Sequence, residues 1–175
     1  MSSEQPQPNG VPMTLNGASA PSATPPQPPQ TASSLPPAAL DLAAKLFDLA
    51  RTGDTATLTS YISAGIPQNL TNSAGDTLLM LACYHGNTET AKALLAAGAD
   101  PNVLNGRGQS PIAGAVFKGW DEVVKVLVEA GADIGLGHPN AVDCARMFKR
   151  EEALRLFGVV EGDWAEGLVD GEGVA

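Results

Sequence analysis

The chain has 175 residues, two cysteines, two histidines and a net charge of −9. That length allows one domain with tails. The acidic balance argues against nucleic acid, which needs a concentrated positive patch. The longest apolar runs fall well short of the ~20 residues that a membrane helix requires, and the N-terminus lacks the basic and apolar regions of a secretory leader.

Residues 1–35 form a separate regime, rich in proline, glutamine and serine, with Glu4 their only charge. Such a stretch cannot bury enough apolar surface to offset its ordering entropy. It is expected to be a disordered arm. Its PPQPPQ run at 25–30 has the P-x-x-P spacing of polyproline ligands, but no arginine flanks it, so a plain solvated arm is the expected reading over a docking motif.

From about residue 36 the chain counts in units of 33. Gly75 falls on Gly108, Thr77 on Ser110, Ala82 on Ala115, Gly86 on Gly119 and Leu94 on Leu127. Gly98-Ala99-Asp100 falls on Gly131-Ala132-Asp133, and Asn72 on Asn105. A fixed period of this size marks a stacked repeat. Thr77 is an N-cap type, and Ser110 is another, with Pro111 at the first helical position. The pattern predicts a first helix over 77–85, closed by Gly86, and a second over 88–97, closed by Gly98. In the next unit Gly119 closes the first helix, and the second runs over 121–130. A tight hairpin then crosses to the following unit.

Upstream, residues 46–69 keep Gly53, Leu58, Tyr61, Ile62 and Gly65 in step. Downstream, 140–158 aligns with 110–128 at an offset of 30, so three residues are missing from the last hairpin. That final stretch is rich in charge, as expected of a cap facing water. Four units result, at about 36–69, 70–102, 103–135 and 136–158. Residues 159–175 follow as an acidic tail carrying Glu161, Asp163, Glu166, Asp170 and Glu172 without a base.

The stretch Gly75-Asp76-Thr77-Leu78-Leu79-Met80, its counterpart Gly108-Gln109-Ser110-Pro111-Ile112-Ala113, and the closing Leu94-Leu95-Ala96-Ala97-Gly98-Ala99-Asp100-Pro101-Asn102 resemble the ankyrin repeat. The resemblance implies an all-α solenoid of four helix–turn–helix units joined by short β-hairpins. It departs at the motif histidine, replaced by Met80 and Ala113, which implies a missing hydrogen bond between units and a looser stack there.

The resemblance also implies a concave face that holds a partner protein. Carried over position by position, its free residues include Arg51, Ser73, Asp76, Tyr84, His85, Arg107, Gln109, Phe117, Lys118 and Met147. Tyr84, Phe117 and Met147 share one framework position and should form a row. Two readings stand for it: packing between helices, or a binding stripe, since aromatics, methionine and arginine are enriched at interface centres. Phe148 is expected in the core. Trp120 either covers a neighbouring helix or stands partly exposed.

No catalytic or metal constellation is visible. His85 and His138 lack zinc-ligand spacing. Gly106-Arg107-Gly108 opens a hairpin and not a phosphate loop. Cys83 and His85 lie two apart on one helix and face different ways. Glu151 and Glu152 suit a solvated face. The chain is expected to be a non-enzyme without cofactor or metal, monomeric, in a reducing compartment: the cytoplasm, with entry to the nucleus open to so small a body. Its first functional reading is an adaptor for an unidentified protein partner. The alternative is an acidic escort that shields a basic client with its tail.

Overall fold

The computed structural model describes residues 30–32 and 37–159. The arm before residue 30, with its P-x-x-P run, and the tail from 160 lie outside the described residues.

Eight helices run in pairs: α1 (Pro37–Thr52) with α2 (Thr55–Ser63), α3 (Leu78–Tyr84) with α4 (Thr88–Ala96), α5 (Pro111–Lys118) with α6 (Asp121–Glu129), and α7 (Ala141–Met147) with α8 (Glu151–Leu156). First helices pack on first helices, α1 on α3 on α5 on α7. Second helices do the same, α2 on α4 on α6 on α8. The result is two layers with an apolar seam between them. Leu46, Leu58, Leu78, Leu79, Leu94, Ile112, Val116, Val123, Val124 and Leu127 are fully enclosed in that seam.

The first helices start where capping residues place them. The Thr77 hydroxyl accepts from Met80 N at 3.0 Å, Ser110 from Ala113 N at 3.3 Å, and the Asn140 amide oxygen from Asp143 N at 2.8 Å. Each satisfies one of the orphan donors of a helix start. Met80 and Ala113, standing where the family has histidine, are both buried. Apolar packing fills that position, and the bonds between units come from elsewhere.

Some come from the turns. Asn69 Oδ1 accepts from Asp100 N at 2.9 Å, and one period later Asn102 Oδ1 accepts from Asp133 N at 2.8 Å. Gly106 N donates to Ala74 O at 2.8 Å, linking one hairpin tip to the next. The hairpins are shorter than the pattern suggests. Among the described residues one isolated antiparallel bridge, Thr71 with Thr77, both in unit two, takes the place of a ladder.

Two findings stand apart from the sequence pattern. Residues Gln30–Thr31, inside the stretch that composition assigns to the arm, form a strand β1. It pairs in parallel with β2 (Leu70–Thr71), and Ala32 beside it is buried. The pairing satisfies backbone groups at the edge of the first hairpin, which no earlier described unit can reach. The second concerns the residue just before each second helix. Asp54 caps α2, accepting from Thr57 N at 3.1 Å and from its hydroxyl at 2.8 Å. Those bonds, the backbone one first, hold its carboxyl below the ordinary aspartate value. Asn87, Trp120 and Arg150 occupy the same position with nearly the same backbone angles, yet none caps its own helix.

They reach back instead. Asn87 Nδ2 donates to Ala50 O and Arg51 O at 2.9 and 2.8 Å. Trp120 Nε1 donates to Tyr84 O at 3.1 Å, and Arg150 Nη2 to Phe117 O at 3.1 Å. Each clasp covers carbonyls that the end of a first helix leaves unpaired. Each side chain also lies across the glycine that follows: a Cβ on Gly86 would sit 2.8 Å from the Trp120 indole, and one on Gly119 would sit 2.8 Å from the Arg150 guanidinium. Asp54 differs because no described unit precedes it.

At the other end the glycine position is Lys149, with φ 51. No described unit follows to lie across it, so a Cβ has room, and only the left-handed backbone remains costly. An L-residue there costs about 1–2 kcal/mol, against about 0.5–1 kcal/mol for the chain entropy that glycine loses on folding. Lys149→Gly is therefore expected to stabilise the protein by about 0.5–1 kcal/mol and to raise its melting point by about 2–4 °C. Calorimetry on the two chains checks this; an unchanged or lower melting point contradicts the strain argument.

Candidate functional site

The first helices end together on one edge of the stack. Their last turns present Tyr84, Phe117 and Met147, which are 38%, 42% and 66% exposed. These values decide between the two readings of their packing: the row stands on the surface and is not core. Phe148, expected in the core, is 39% exposed. It is the residue at which α7 ends, so its side chain leaves the seam and meets Phe117 edge-on, with ring centroids 4.9 Å apart. Edge-to-face contact suits the ring quadrupoles and holds both rings in place.

Lys118 closes the row from above. Its ammonium lies 4.5 Å from the centre of the Tyr84 ring and 5.9 Å from that of Phe117. One cation thus spans aromatic faces from two units. His85 is exposed and stands edge-on to Tyr84 at 5.7 Å. Of the residues singled out in sequence, Tyr84, His85, Phe117, Lys118 and Met147 form this one surface.

The others lie elsewhere. Arg51, in unit one, is paired with Asp48 at 2.7 Å. Ser73 and Arg107 are exposed at hairpin tips. Asp76 and Gln109 are engaged within the fold. One Asp76 oxygen accepts from Asn72 Nδ2 at 3.2 Å and the other from Asn105 Nδ2 at 2.9 Å. Gln109 Oε1 takes a weaker bond from the same Asn105 amide at 3.3 Å. Asn72 and Asn105 also fold their own tips, each accepting two backbone N–H bonds through Oδ1. Asp76 therefore ties two tips together.

Sequence reasoning did not find the clasp residues. Their signal was position alone, the residue after Gly86, after Gly119 and after Lys149, once per unit. Asn87, Trp120 and Arg150 share no residue type. Trp120 combines both readings of it: the ring lies over Gly86, and 43% of the residue stays exposed. A depression beside it is lined by Thr88, Gly119, Asp121, Glu122 and Val123.

Cys83 and Cys144 are free thiols, both buried. Burial pushes both thiols up, and Asp143 adds to the effect at Cys144. Thiolate is the nucleophilic form, so both sites are chemically quiet. Among the described residues no group of three or more histidine, cysteine, aspartate or glutamate side chains is placed to hold a metal ion. No described helix is long and apolar enough to cross a membrane.

A family model of ankyrin repeats, in three copies, matches residues 46–137, more than half of the chain. Over 42 residues the chain is 55% identical to a protein of Pseudomonas aeruginosa described as an ankyrin repeat protein. That match covers 24% of this chain and 25% of the relative, so the chain spans about a quarter of the relative's length. With the paired helices, the two layers and the 33-residue period, the chain belongs to the ankyrin repeat family, whose repeats generally mediate protein–protein interaction without catalysis.

Proposed function

We propose that this protein is a non-catalytic adaptor that holds one partner protein across the row of Tyr84, Phe117 and Met147. The observation that carries the reading is the exposure of that row. Three large side chains at one framework position, with Phe148 beside them, face outward instead of into the seam. An exposed apolar stripe flanked by polar groups has the make-up of an interface centre. It lies where the first helices end, and the ankyrin resemblance implies a partner face lined by first helices. We place the adaptor, as a monomer, in the cytoplasm with access to the nucleus, where two buried thiols persist reduced.

The test compares the full chain with a Tyr84→Ala, Phe117→Ala double variant in affinity purification followed by quantitative mass spectrometry. The variant is expected to lose its specific partner by about 10–30-fold while its far-ultraviolet circular dichroism stays the same. Retention of every partner would remove the row from the function. A chain lacking residues 160–175 is expected to keep the partner. If that deletion alone abolishes capture, the acidic-escort alternative takes the place of this one.

A further inference from the structure

The charges of the stack are paired unevenly. In the second-helix layer, Lys92 pairs with Glu89 at 2.9 Å and Arg155 with Glu152 at 3.4 Å. Lys125 stands one turn from Asp121 and from Glu129 on α6. In the first-helix layer, α1 holds the Arg51–Asp48 pair and α7 carries the exposed Asp143. Helices α3 and α5 contain no acidic residue at all. Among the described residues, Lys118, Arg146 and Lys149, at the ends of α5 and α7, form no ion pair. A protein of net charge −9 thus carries cations without carboxylate partners at the ends of α5 and α7, the helices that present Phe117 and Met147.

Helix dipoles explain part of this, because cations are favoured at helix C-termini. They do not explain where the Lys118 side chain goes. Its ammonium crosses to the Tyr84 ring of the preceding unit. There it is desolvated on its aromatic side, with no carboxylate partner among the described residues.

We propose that the end of the row built by units three and four takes an acidic peptide segment carrying one large apolar or aromatic side chain. The proposal rests on the adaptor reading and adds the chemistry of the partner. The anchor lies against Phe117, Phe148 and Met147. Carboxylates on either side of it meet Lys118 and Arg146. The overall negative charge works against acidic chains over most of the surface, and opposite charges at this end set register and orientation.

Fluorescence anisotropy on the full chain tests this with three labelled hexapeptides. One has a central tryptophan among aspartates and glutamates, one has every carboxylate replaced by its amide, and one has lysines in their place. The acidic peptide is expected to bind, with the amide peptide about tenfold weaker and the lysine peptide not binding. In nuclear magnetic resonance spectra, signals of Phe117, Lys118 and Met147 are expected to shift. Lys118→Glu is expected to weaken the acidic peptide about tenfold, and Lys118→Gln by less, with both melting within a degree or so of the parent chain. Equal binding by the amide peptide overturns the acidic partner and leaves the row as a binding surface. Silence of the row toward all three peptides counts against the adaptor as well. Tighter binding of an oligothymidylate at the same signals overturns a peptide occupant. Salt-dependent shifts of the row in the peptide-free chain, lost on deleting 160–175, assign the site to the chain's own acidic residues and overturn an external partner.

Discussion

Gly86→Val is expected to lower stability by about 2–4 kcal/mol. Two separate terms build that figure. Gly86 has φ +77, and a β-branched residue forced there costs about 1–3 kcal/mol. A side chain also collides with Trp120, whose indole carbons lie 2.8 Å from the Cβ position. The ring is rigid and must move as a body, which breaks its bond to Tyr84 O. A bond of that kind contributes about 0.5–1.5 kcal/mol. Gly119→Val is the informative comparison. Its φ of +78 carries the same strain, but the group above it is the end of the Arg150 side chain, which can swing aside and exchange its bond to Phe117 O for water. Urea midpoints should rank parent, then Gly119→Val, then Gly86→Val. Equal losses in the two variants would show that φ alone accounts for the effect.

Ile112→Ala is expected to cost about 2–5 kcal/mol, the range for a large-to-small change that leaves a cavity. Ile112 is fully enclosed, in the helix that packs against α3, α6 and α7. The total stability of a domain is only about 5–15 kcal/mol. In a stack, stability is a sum of unit terms and neighbour terms, so a cavity in the third unit weakens the contacts on both its sides. The expected result is therefore a loss of cooperativity as well as a lower midpoint. In a Trp164→Phe background, Trp120 fluorescence reports the middle of the stack and circular dichroism reports all of it. The two urea transitions are expected to coincide in the parent and to separate in the variant. Coincident transitions with a small shift would mean that the seam closes over the missing methylenes.

The repeating elements were legible because each boundary has a local cause. Thr77 and Ser110 cap, Pro111 begins, and Gly86, Gly98, Gly119 and Gly131 end helices at positive φ. Expected helices over 77–85 and 121–130 differ from Leu78–Tyr84 and Asp121–Glu129 only by counting caps as helix. What stayed hidden depends on partners distant in the chain. Strand β1 spans two residues within a proline-rich stretch, too short for any periodicity, and only the open edge at Leu70–Thr71 accounts for it. Asn87 looks like an N-cap by type, yet a preceding unit offers it two carbonyls, and those win. For the site, the shared position of Tyr84, Phe117 and Met147 was visible in the spacing. Their exposure was not, because alternation within one short helix cannot say which edge a neighbouring layer leaves open. Phe148 illustrates the same limit: its apolar type suggested the core, and the end of α7 turned it outward.

The clasps have a direction. Every one runs from a later unit to an earlier one, seated on a residue without a side chain. Stacked modules of this kind face a hazard at their last module, since the same joint could accept the leading end of another molecule and propagate into an open filament. Lys149 stands at that last seat. Its Cβ occupies the space that Gly53, Gly86 and Gly119 leave to Asn87, Trp120 and Arg150, and its ammonium adds a charge to be stripped of water. At the last described seat the strained lysine is therefore expected to act as a terminator. It makes this joint a poor place for head-to-tail growth, at the expense of a small amount of folding free energy that the interior glycines retain.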